Sequence, residues 1–359
     1  MNFNLNNIVR KNIREMTAYS SARHDFSGNA RIFLDANENS FGSPLHLSHP
    51  EEGPSMRFNR YPDPLQQKLK EKLSSIKGVP PKNIFLGNGS DEAIDLLFRI
   101  FCEPGKDNVL IFPPTYGMYE VCGAINDVKV KKVSLTTGFR LDLDRIEKAI
   151  DPFTKILFIC SPNNPTGNSI NKDDVEMLLN NFKGLVVIDE AYINYSDQKT
   201  FITELTEYAN LVILQTLSKA WGLAGLRLGM AFAGEPIIHY MNKVKYPYNI
   251  SSAAQQLALE ALENIKIVNE WIKITVEQRQ WIKEELLRLK IIETVYPSDA
   301  NFLLVKMKEA RKIYDYLLRN GIIVRDRSKI TLCNDCLRIT IGTPDENKQL
   351  INALNEFTQ

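Results

Sequence analysis

The arrangement of apolar segments between residues 82 and 233 constrains the fold more than any other feature of this sequence. Short β-rich apolar runs alternate there with stretches of helical periodicity, which is the pattern of βα units wound into a largely parallel sheet. Seven strands are predicted: Ile84–Leu86, Val109–Phe112, Val128–Val133, Ile156–Cys160, Leu185–Ile188, Leu211–Gln215 and Leu228–Phe232. A sheet of this kind binds ligands outside the carboxyl ends of its strands.

A change of pattern after Pro247 predicts a second, smaller α/β unit. Its expected elements are helices Ala253–Asn264 and Ile267–Leu289, strands Phe302–Val305, Ile322–Val324 and Leu337–Ile341, and a closing helix Asp345–Phe357. A chain of 359 residues has the length of about two domains. We predict an N-terminal arm with part of the small domain (1–55), a large domain (56–250) and a small C-terminal domain (251–359).

The composition favours small-molecule partners. Lys and Arg number 44 against 43 Asp and Glu, so the chain lacks the basic field on which nucleic-acid binding depends. Its N-terminal segment shows no apolar core with a small-residue cleavage site, and no apolar run is long enough to span a bilayer. We expect a cytoplasmic protein without nucleic-acid or membrane partners.

The cysteines and histidines do not predict a metal centre. Cys333-x-x-Cys336 lacks the second Cys pair or nearby histidine that a four-ligand zinc site needs. The other three of the five cysteines and all four histidines are scattered along the chain. No metal is expected.

A carboxylate and a lysine are predicted at the carboxyl edge of the large sheet. Asp189 directly follows the apolar run Val186–Ile188, and Lys219 follows the strand Leu211–Gln215. A carboxylate there can keep a pyridinium nitrogen protonated, which lets a pyridoxal ring act as an electron sink. An isolated Asp at a strand end more often caps the following turn. Lysine forms imines once its charge is disfavoured, and Arg227 would help to lower the pKa of Lys219.

Groups suited to a phosphate accompany this pair. Ser218 and Arg227 can clamp an anion, and three glycines between residues 222 and 229 permit close backbone approach. The turn Gly87–Ser90, before a predicted helix, offers backbone N–H donors and a helix dipole. That turn equally suits an ordinary N-cap.

Three further side chains are candidates for contact with a flat cofactor. Tyr116, just beyond Val109–Phe112, could stack on its ring. Tyr192 and Asn164 could donate hydrogen bonds to a phenolic oxygen. A core tyrosine, or a turn formed by Asn-Pro-Thr-Gly, explains each residue equally well when it is taken alone.

Together these motifs make the chain similar to the fold-type-I pyridoxal-phosphate aminotransferases over nearly its whole length, and within them to the histidinol-phosphate aminotransferase group. The likeness lies in Leu34–Asn39, Tyr61–Pro64, Gly87–Glu92, Ser161–Gly167, Thr216–Arg227 and Leu337–Gly342. Departures at Ser40, Trp221 and Tyr248-Asn249 concern shape and specificity rather than cofactor chemistry.

The resemblance implies specific roles. Lys219 would carry pyridoxal 5'-phosphate as a Schiff base, with Asp189 on the ring nitrogen and Tyr192 as a third catalytic residue. The other cofactor contacts would be Ser90, Asp91, Glu92 (the last two through backbone N–H groups), Tyr116, Asn164, Thr216, Ser218, Arg227 and, in a homodimer, the partner subunit's Tyr61. Substrate would be bound by Tyr19, Asn164, Arg325 and Arg338.

The implied reaction is reversible amino transfer between L-histidinol phosphate and 2-oxoglutarate, giving imidazole-acetol phosphate and L-glutamate in histidine biosynthesis. Lys219 would act as nucleophile and as general acid and base. An aromatic or broad-specificity aminotransferase and a phospho-amino-acid decarboxylase share this scaffold and stay open as alternatives. A DNA-binding regulator would require a basic stripe, and a dehydrogenase would require G-x-G-x-x-G where this chain has Gly87-Asn88-Gly89-Ser90-Asp91-Glu92.

Overall fold

A seven-stranded sheet forms the centre of the computed structural model, which describes residues 3–16 and 58–357. Its strands are β1 (Ile84–Asn88), β2 (Asn108–Ile111), β3 (Lys129–Lys132), β4 (Thr154–Cys160), β5 (Leu185–Asp189), β6 (Leu211–Thr216) and β7 (Leu228–Ala233). They lie in the order β1-β7-β6-β5-β4-β2-β3. Each matches a predicted strand, so the prediction of this sheet is confirmed.

One reversed strand determines which residues reach the carboxyl edge of the sheet. β7 runs antiparallel to both of its neighbours, β1 and β6, whereas β2 through β6 pair in parallel. The amino end of β7 therefore lies at the same edge as the carboxyl ends of β5 and β6. Arg227, directly before β7, thus lies at the same edge as Asp189 and Lys219.

Helices cover both faces of this sheet. They are α2 (Gln67–Lys77), α3 (Ser90–Phe101), α4 (Met118–Ile125), α5 (Leu143–Ala149), α6 (Lys172–Asn181) and α7 (Glu235–Val244), preceded by the short α1 (Lys11–Glu15). Successive residues of a strand face opposite sides. Val186 and Ile188 of β5 accordingly pack in one apolar cluster with Leu73 of α2, whereas Val187 packs in another with Leu97 of α3. Burial on both faces explains why β5 and β6 read as continuous apolar runs.

A smaller antiparallel sheet follows along the chain. Its strands are β8 (Ile292–Val295), β9 (Phe302–Met307), β10 (Arg325–Asp326) and β11 (Cys336–Thr340), in the order β10-β11-β9-β8. Its helices are α8 (Ser252–Glu263), α9 (Ile265–Leu287), α10 (Ala310–Arg319) and α11 (Pro344–Phe357). The sequence analysis did not predict β8, which is a mostly exposed edge strand without a continuous apolar run.

The predicted strand Ile322–Val324 is wrong, because this stretch ends a helix. Gly321 has φ +75° and donates its N–H to the carbonyl of Leu318 at 3.1 Å, while the N–H of Ile322 reaches the carbonyl of Leu317 at 2.9 Å. These two bonds form a Schellman motif, which closes α10. The strand forms only afterwards, at Arg325–Asp326.

Helices within residues 3–16 and 58–357 are too short or too polar to cross a membrane. In the same ranges, no group of three or more His, Cys, Asp and Glu side chains is arranged to hold a metal ion. Cys333 and Cys336 are buried free thiols.

Candidate active site

A cavity of about 720 Å³ lies between the carboxyl edge of the large sheet and the strands β10 and β11. Most of the sequence-predicted site residues line it. They are Ser90, Asp91, Tyr116, Asn164, Asp189, Tyr192, Thr216, Ser218, Lys219, Arg227, Arg325 and Arg338. Segments far apart in sequence therefore meet at one site.

Three predicted site residues are not among those lining the cavity. Tyr19 lies outside the described residues. Glu92 was predicted through its backbone N–H, which lies in the first turn of α3, and its carboxylate accepts hydrogen bonds from the backbone N–H of Asn88 and from Asn249 Nδ2. Tyr61 stacks on Tyr248, with ring centroids 4.4 Å apart, and its ring is half exposed.

Asp189 is buried at the end of β5 and uses both carboxylate oxygens. Oδ2 accepts a hydrogen bond from the Tyr119 hydroxyl at 2.7 Å, and Oδ1 accepts one from the backbone N–H of Ala191 at 3.1 Å. Burial raises the pKa of Asp189 to about 6, and the two hydrogen bonds oppose this rise. Oδ1 therefore caps the turn after β5, while Tyr119 holds Oδ2 beside the cavity.

Tyr119 is a site residue that the sequence analysis missed. It lies on α4, is fully buried, and stacks on Phe158 with ring centroids 4.9 Å apart. Its ring meets that of Tyr116 edge to face. Tyr116 lies two residues before α4 begins, so helical spacing does not relate the two rings and no local pattern indicated Tyr119. Tyr119 ties Asp189 to the aromatic wall of the cavity.

Lys219 points into the cavity from the segment after β6. Its Nζ lies 5.6 Å from the centre of the Tyr192 ring. Burial lowers the pKa of Lys219 most, followed by the nearby charge of Arg338 and, to a smaller extent, that of Arg227; Asp189 acts in the opposite direction. Arg227 was predicted to lower the pKa of Lys219, but among the nearby cations Arg338 of the second sheet lowers it more.

Backbone and side-chain donors converge at the start of α3. Arg227 lies over Gly89, where an added Cβ would stand 2.6 Å from Arg227 Nη2. The hydroxyls of Thr216 and Ser218 lie 2.9 Å apart in the same cavity. A guanidinium, hydroxyls and the N–H groups of a helix N-terminus are the donors that suit a phosphate group.

Asp91 adds a carboxylate to this cluster. It lies 3.6 Å from Arg227 Nη2 and accepts a hydrogen bond from the Tyr116 hydroxyl at 3.0 Å. Asp91 thus holds the guanidinium and the Tyr116 ring beside the helix N-terminus.

The opposite wall of the cavity is cationic. Arg338 on β11 donates from Nη1 to Asn164 Oδ1 and lies over the Phe302 ring, 5.2 Å from its centre. Arg325 is its partner across β10 and β11. Arg327, which the sequence analysis did not select, lines the same wall. This side is suited to an anionic part of a substrate.

Comparison with known proteins identifies the family of this chain. The family described as aminotransferase class I and II matches residues 31–354. A histidinol-phosphate aminotransferase of Cytophaga hutchinsonii is 52% identical over 99% of this chain and 100% of its own length.

Solved structures give the same result. That of histidinol-phosphate aminotransferase from Clostridium acetobutylicum is similar with a TM-score of 0.77 at 26% identity, covering 83% of this chain and 90% of the other. The enzyme from Sinorhizobium meliloti, in complex with pyridoxal-5'-phosphate, has a TM-score of 0.76 at 26% identity and covers 83% and 82%. By sequence and fold, this chain belongs to the class I and II aminotransferases and, among them, to the histidinol-phosphate aminotransferases.

Proposed function

We propose that this protein transfers an amino group reversibly between L-histidinol phosphate and 2-oxoglutarate, giving imidazole-acetol phosphate and L-glutamate, with pyridoxal 5'-phosphate as cofactor. The observation that carries the proposal is the meeting of three features in one cavity. These are the donor cluster at the start of α3, the pair Asp189 and Lys219, and the arginines of β10 and β11. Histidinol-phosphate aminotransferases of about half identity support the choice of substrates.

The donor cluster fits the phosphate of this cofactor. Ser90, Thr216, Ser218 and Arg227 present donors around the α3 N-terminus. Gly229 allows the close approach, because an added Cβ would lie 2.1 Å from the backbone nitrogen of Ser90. When bound there, the cofactor supplies a conjugated ring that takes up electron density as a substrate Cα–H bond breaks.

Lys219 would attach the cofactor and afterwards move a proton. Its lowered pKa increases the neutral fraction of the amine, which is the form that acts as nucleophile and as base. Lys219 Nζ would accept the proton from the substrate Cα and then donate it to the aldehyde-derived carbon of the cofactor, so one residue would serve as base and then as acid.

The remaining residues would orient the ring. Asp189 would pair with the ring nitrogen, since a buried carboxylate with a raised pKa is stabilised in its charged form by an adjacent N–H cation. Asn164 Oδ1 accepts from Arg338, which leaves Asn164 Nδ2 to donate to the phenolic oxygen beside Tyr192. Tyr116 would stack on the ring.

We further propose that Arg325 and Arg338, with Tyr19, bind the substrate anion, and that the protein is a cytoplasmic homodimer. The exposure of Tyr61, outside its own cavity, supports a role at the site of a second subunit. Division into an arm (1–55), a large domain (56–250) and a small domain (251–359) is part of the same proposal, supported by the two separate sheets.

The visible absorption of the protein mixed with pyridoxal phosphate tests the function. L-Histidinol phosphate should convert the band of the bound cofactor, and 2-oxoglutarate should restore it. A band that responds only to other amino acids would refute the substrate assignment and leave the cofactor chemistry intact. The absence of any band would refute both.

A further inference from the structure

Arg327 directly follows β10 and faces the same side as Arg325. The two-residue strand places Arg325 opposite Arg338, and the N–H of Arg327 extends this pairing by donating to the carbonyl of Cys336 at 2.9 Å. Alternate residues of an extended chain point to the same side. Asp326, between the two arginines, pairs instead with Arg311 at 3.6 Å. The carboxylate of this strand is thus withdrawn from the cavity, while both arginines line it.

Unlike Arg227, the cavity arginines Arg325, Arg327 and Arg338 have no carboxylate within 4.0 Å in the described part of the chain. The Nε atoms of Arg327 and Arg338 and the hydroxyl of Ser328 are buried without a hydrogen-bond partner there. Burial, followed by Arg338 and Arg325, lowers the pKa of Arg327 to about 10. Like charges facing each other across strands destabilise a sheet, and buried donors without acceptors carry a free-energy cost. A multiply charged anion would relieve both.

We propose that Arg327 is a specificity-determining residue that binds the phosphate of the amino donor and distinguishes it from a carboxylate. The inference rests on the proposed function. A carboxylate has two oxygens and one charge, which one guanidinium fork satisfies, and Arg338 supplies that fork. A phosphate monoester carries close to two charges and three terminal oxygens. Arg325 is exposed, whereas Arg327 is partly buried and its Nε has no hydrogen-bond partner in the described part of the chain, so Arg327 supplies the buried fork that the additional oxygen and charge require.

The test compares Arg327→Gln with Lys329→Gln in the holoenzyme. Lys329 is exposed and is not among the residues lining the cavity, so its substitution removes the same charge two residues away without a contact to the ligand. Half-reaction rates are followed through the absorbance of the bound cofactor with three donors: L-histidinol phosphate, L-histidinol and L-glutamate. L-Histidinol lacks only the phosphate.

Arg327→Gln should lower kcat/KM for L-histidinol phosphate by about 10- to 100-fold, chiefly through KM, because charge-assisted hydrogen bonds are lost. The values for L-histidinol and L-glutamate should stay within about threefold, because neither presents a phosphate. Arg327→Lys should recover part of the loss, since it restores the charge without the fork. Inorganic phosphate should also inhibit Arg327→Gln about tenfold less strongly, and Lys329→Gln should match the wild type.

Equal losses with all three donors, or an unchanged value for L-histidinol phosphate, would overturn the assignment of Arg327. The proposed function would survive either result, because the wild type would still convert L-histidinol phosphate. A wild-type enzyme inactive on that donor would overturn both. If Arg327→Gln fails to fold, Arg327→Lys is compared with the wild type instead. A loss confined to L-histidinol phosphate, with weaker inhibition by inorganic phosphate, supports the assignment, and equal losses with all three donors overturn it.

Discussion

Tyr119→Phe should make the charged form of Asp189 less favourable while leaving the packing of α4 unchanged. The substitution keeps the ring that stacks on Phe158 and removes the hydroxyl that donates to Asp189 at 2.7 Å. A hydrogen bond to a buried charged group contributes about 1.5–3 kcal/mol. Since one pKa unit corresponds to about 1.4 kcal/mol, the pKa of Asp189 should rise by about one to two units from its present value of about 6.

The expected sign in the cofactor-free protein follows from proton linkage. The pKa of Asp189 in the folded state lies above its ordinary value of 3.8. The protonated carboxyl therefore contributes fully to the free energy of unfolding below pH 3.8, and this contribution is lost as the pH rises through about 6. The shift corresponds to a loss of about 3 kcal/mol from the free energy of unfolding. In Tyr119→Phe this loss should continue to about pH 7–8 and be larger by about 1.5–3 kcal/mol.

Denaturant unfolding of the cofactor-free protein between pH 4 and 8.5, at fixed protein concentration, measures this difference. Tyr116→Phe is the matched control, because it removes a hydroxyl from the same cavity that donates to Asp91 rather than to Asp189. Tyr119→Phe should also weaken cofactor binding most strongly near pH 7, where Asp189 would be protonated. A pH dependence that is the same in Tyr119→Phe, Tyr116→Phe and the wild type would refute the reasoning.

Other substitutions test the proposed roles directly. Lys219→Ala should abolish transamination, because the group that attaches the cofactor and moves the proton is lost; near-normal turnover in single-turnover assays would contradict this. Asp189→Asn should lower kcat by about 100- to 1,000-fold at saturating cofactor, because an amide cannot balance the ring N–H charge, and a loss of less than about tenfold would count against the pairing. Gly229→Ala should lower the free energy of unfolding by about 2–3 kcal/mol and weaken cofactor binding, since its Cβ would lie 2.1 Å from the nitrogen of Ser90. Gly225→Ala, with nothing within 4 Å of the added Cβ, should change neither measurement in denaturation and binding titrations.

The sequence predicted best those residues that directly follow buried strands. Asp189 and Lys219 come after the apolar runs of β5 and β6, and the carboxyl ends of parallel strands meet at one edge. Arg227 was predicted from the Thr216–Arg227 segment. Its place at the carboxyl edge of the sheet depends on the reversed direction of β7, which no local pattern reveals. Strand identity and edge position were therefore accessible from the sequence, whereas strand direction was not.

Residues that depend on tertiary packing were harder to predict. Tyr119 matters because α4 turns its hydroxyl toward a carboxylate seventy residues away in sequence. Arg327 lies just beyond a two-residue strand whose register with β11 determines which side it faces. The β-branched residues Ile322–Val324 instead predicted a strand, at a position where Ile322 completes a helix cap. Such positions require knowledge of which elements contact each other.

The segment between β6 and β7 has a mechanical consequence. Residues 216–227 carry both the amine of Lys219 and the groups proposed to bind phosphate, Ser218 and Arg227, and both ends of the segment are held within one sheet. Arg338 belongs to the other sheet. A rigid rotation of the smaller sheet would therefore change the distance from Lys219 to Arg338 while that from Lys219 to Arg227 stays constant. Such a rotation would change the contact of Arg338 with a substrate anion and leave the contacts of Ser218 and Arg227 with the cofactor phosphate unchanged.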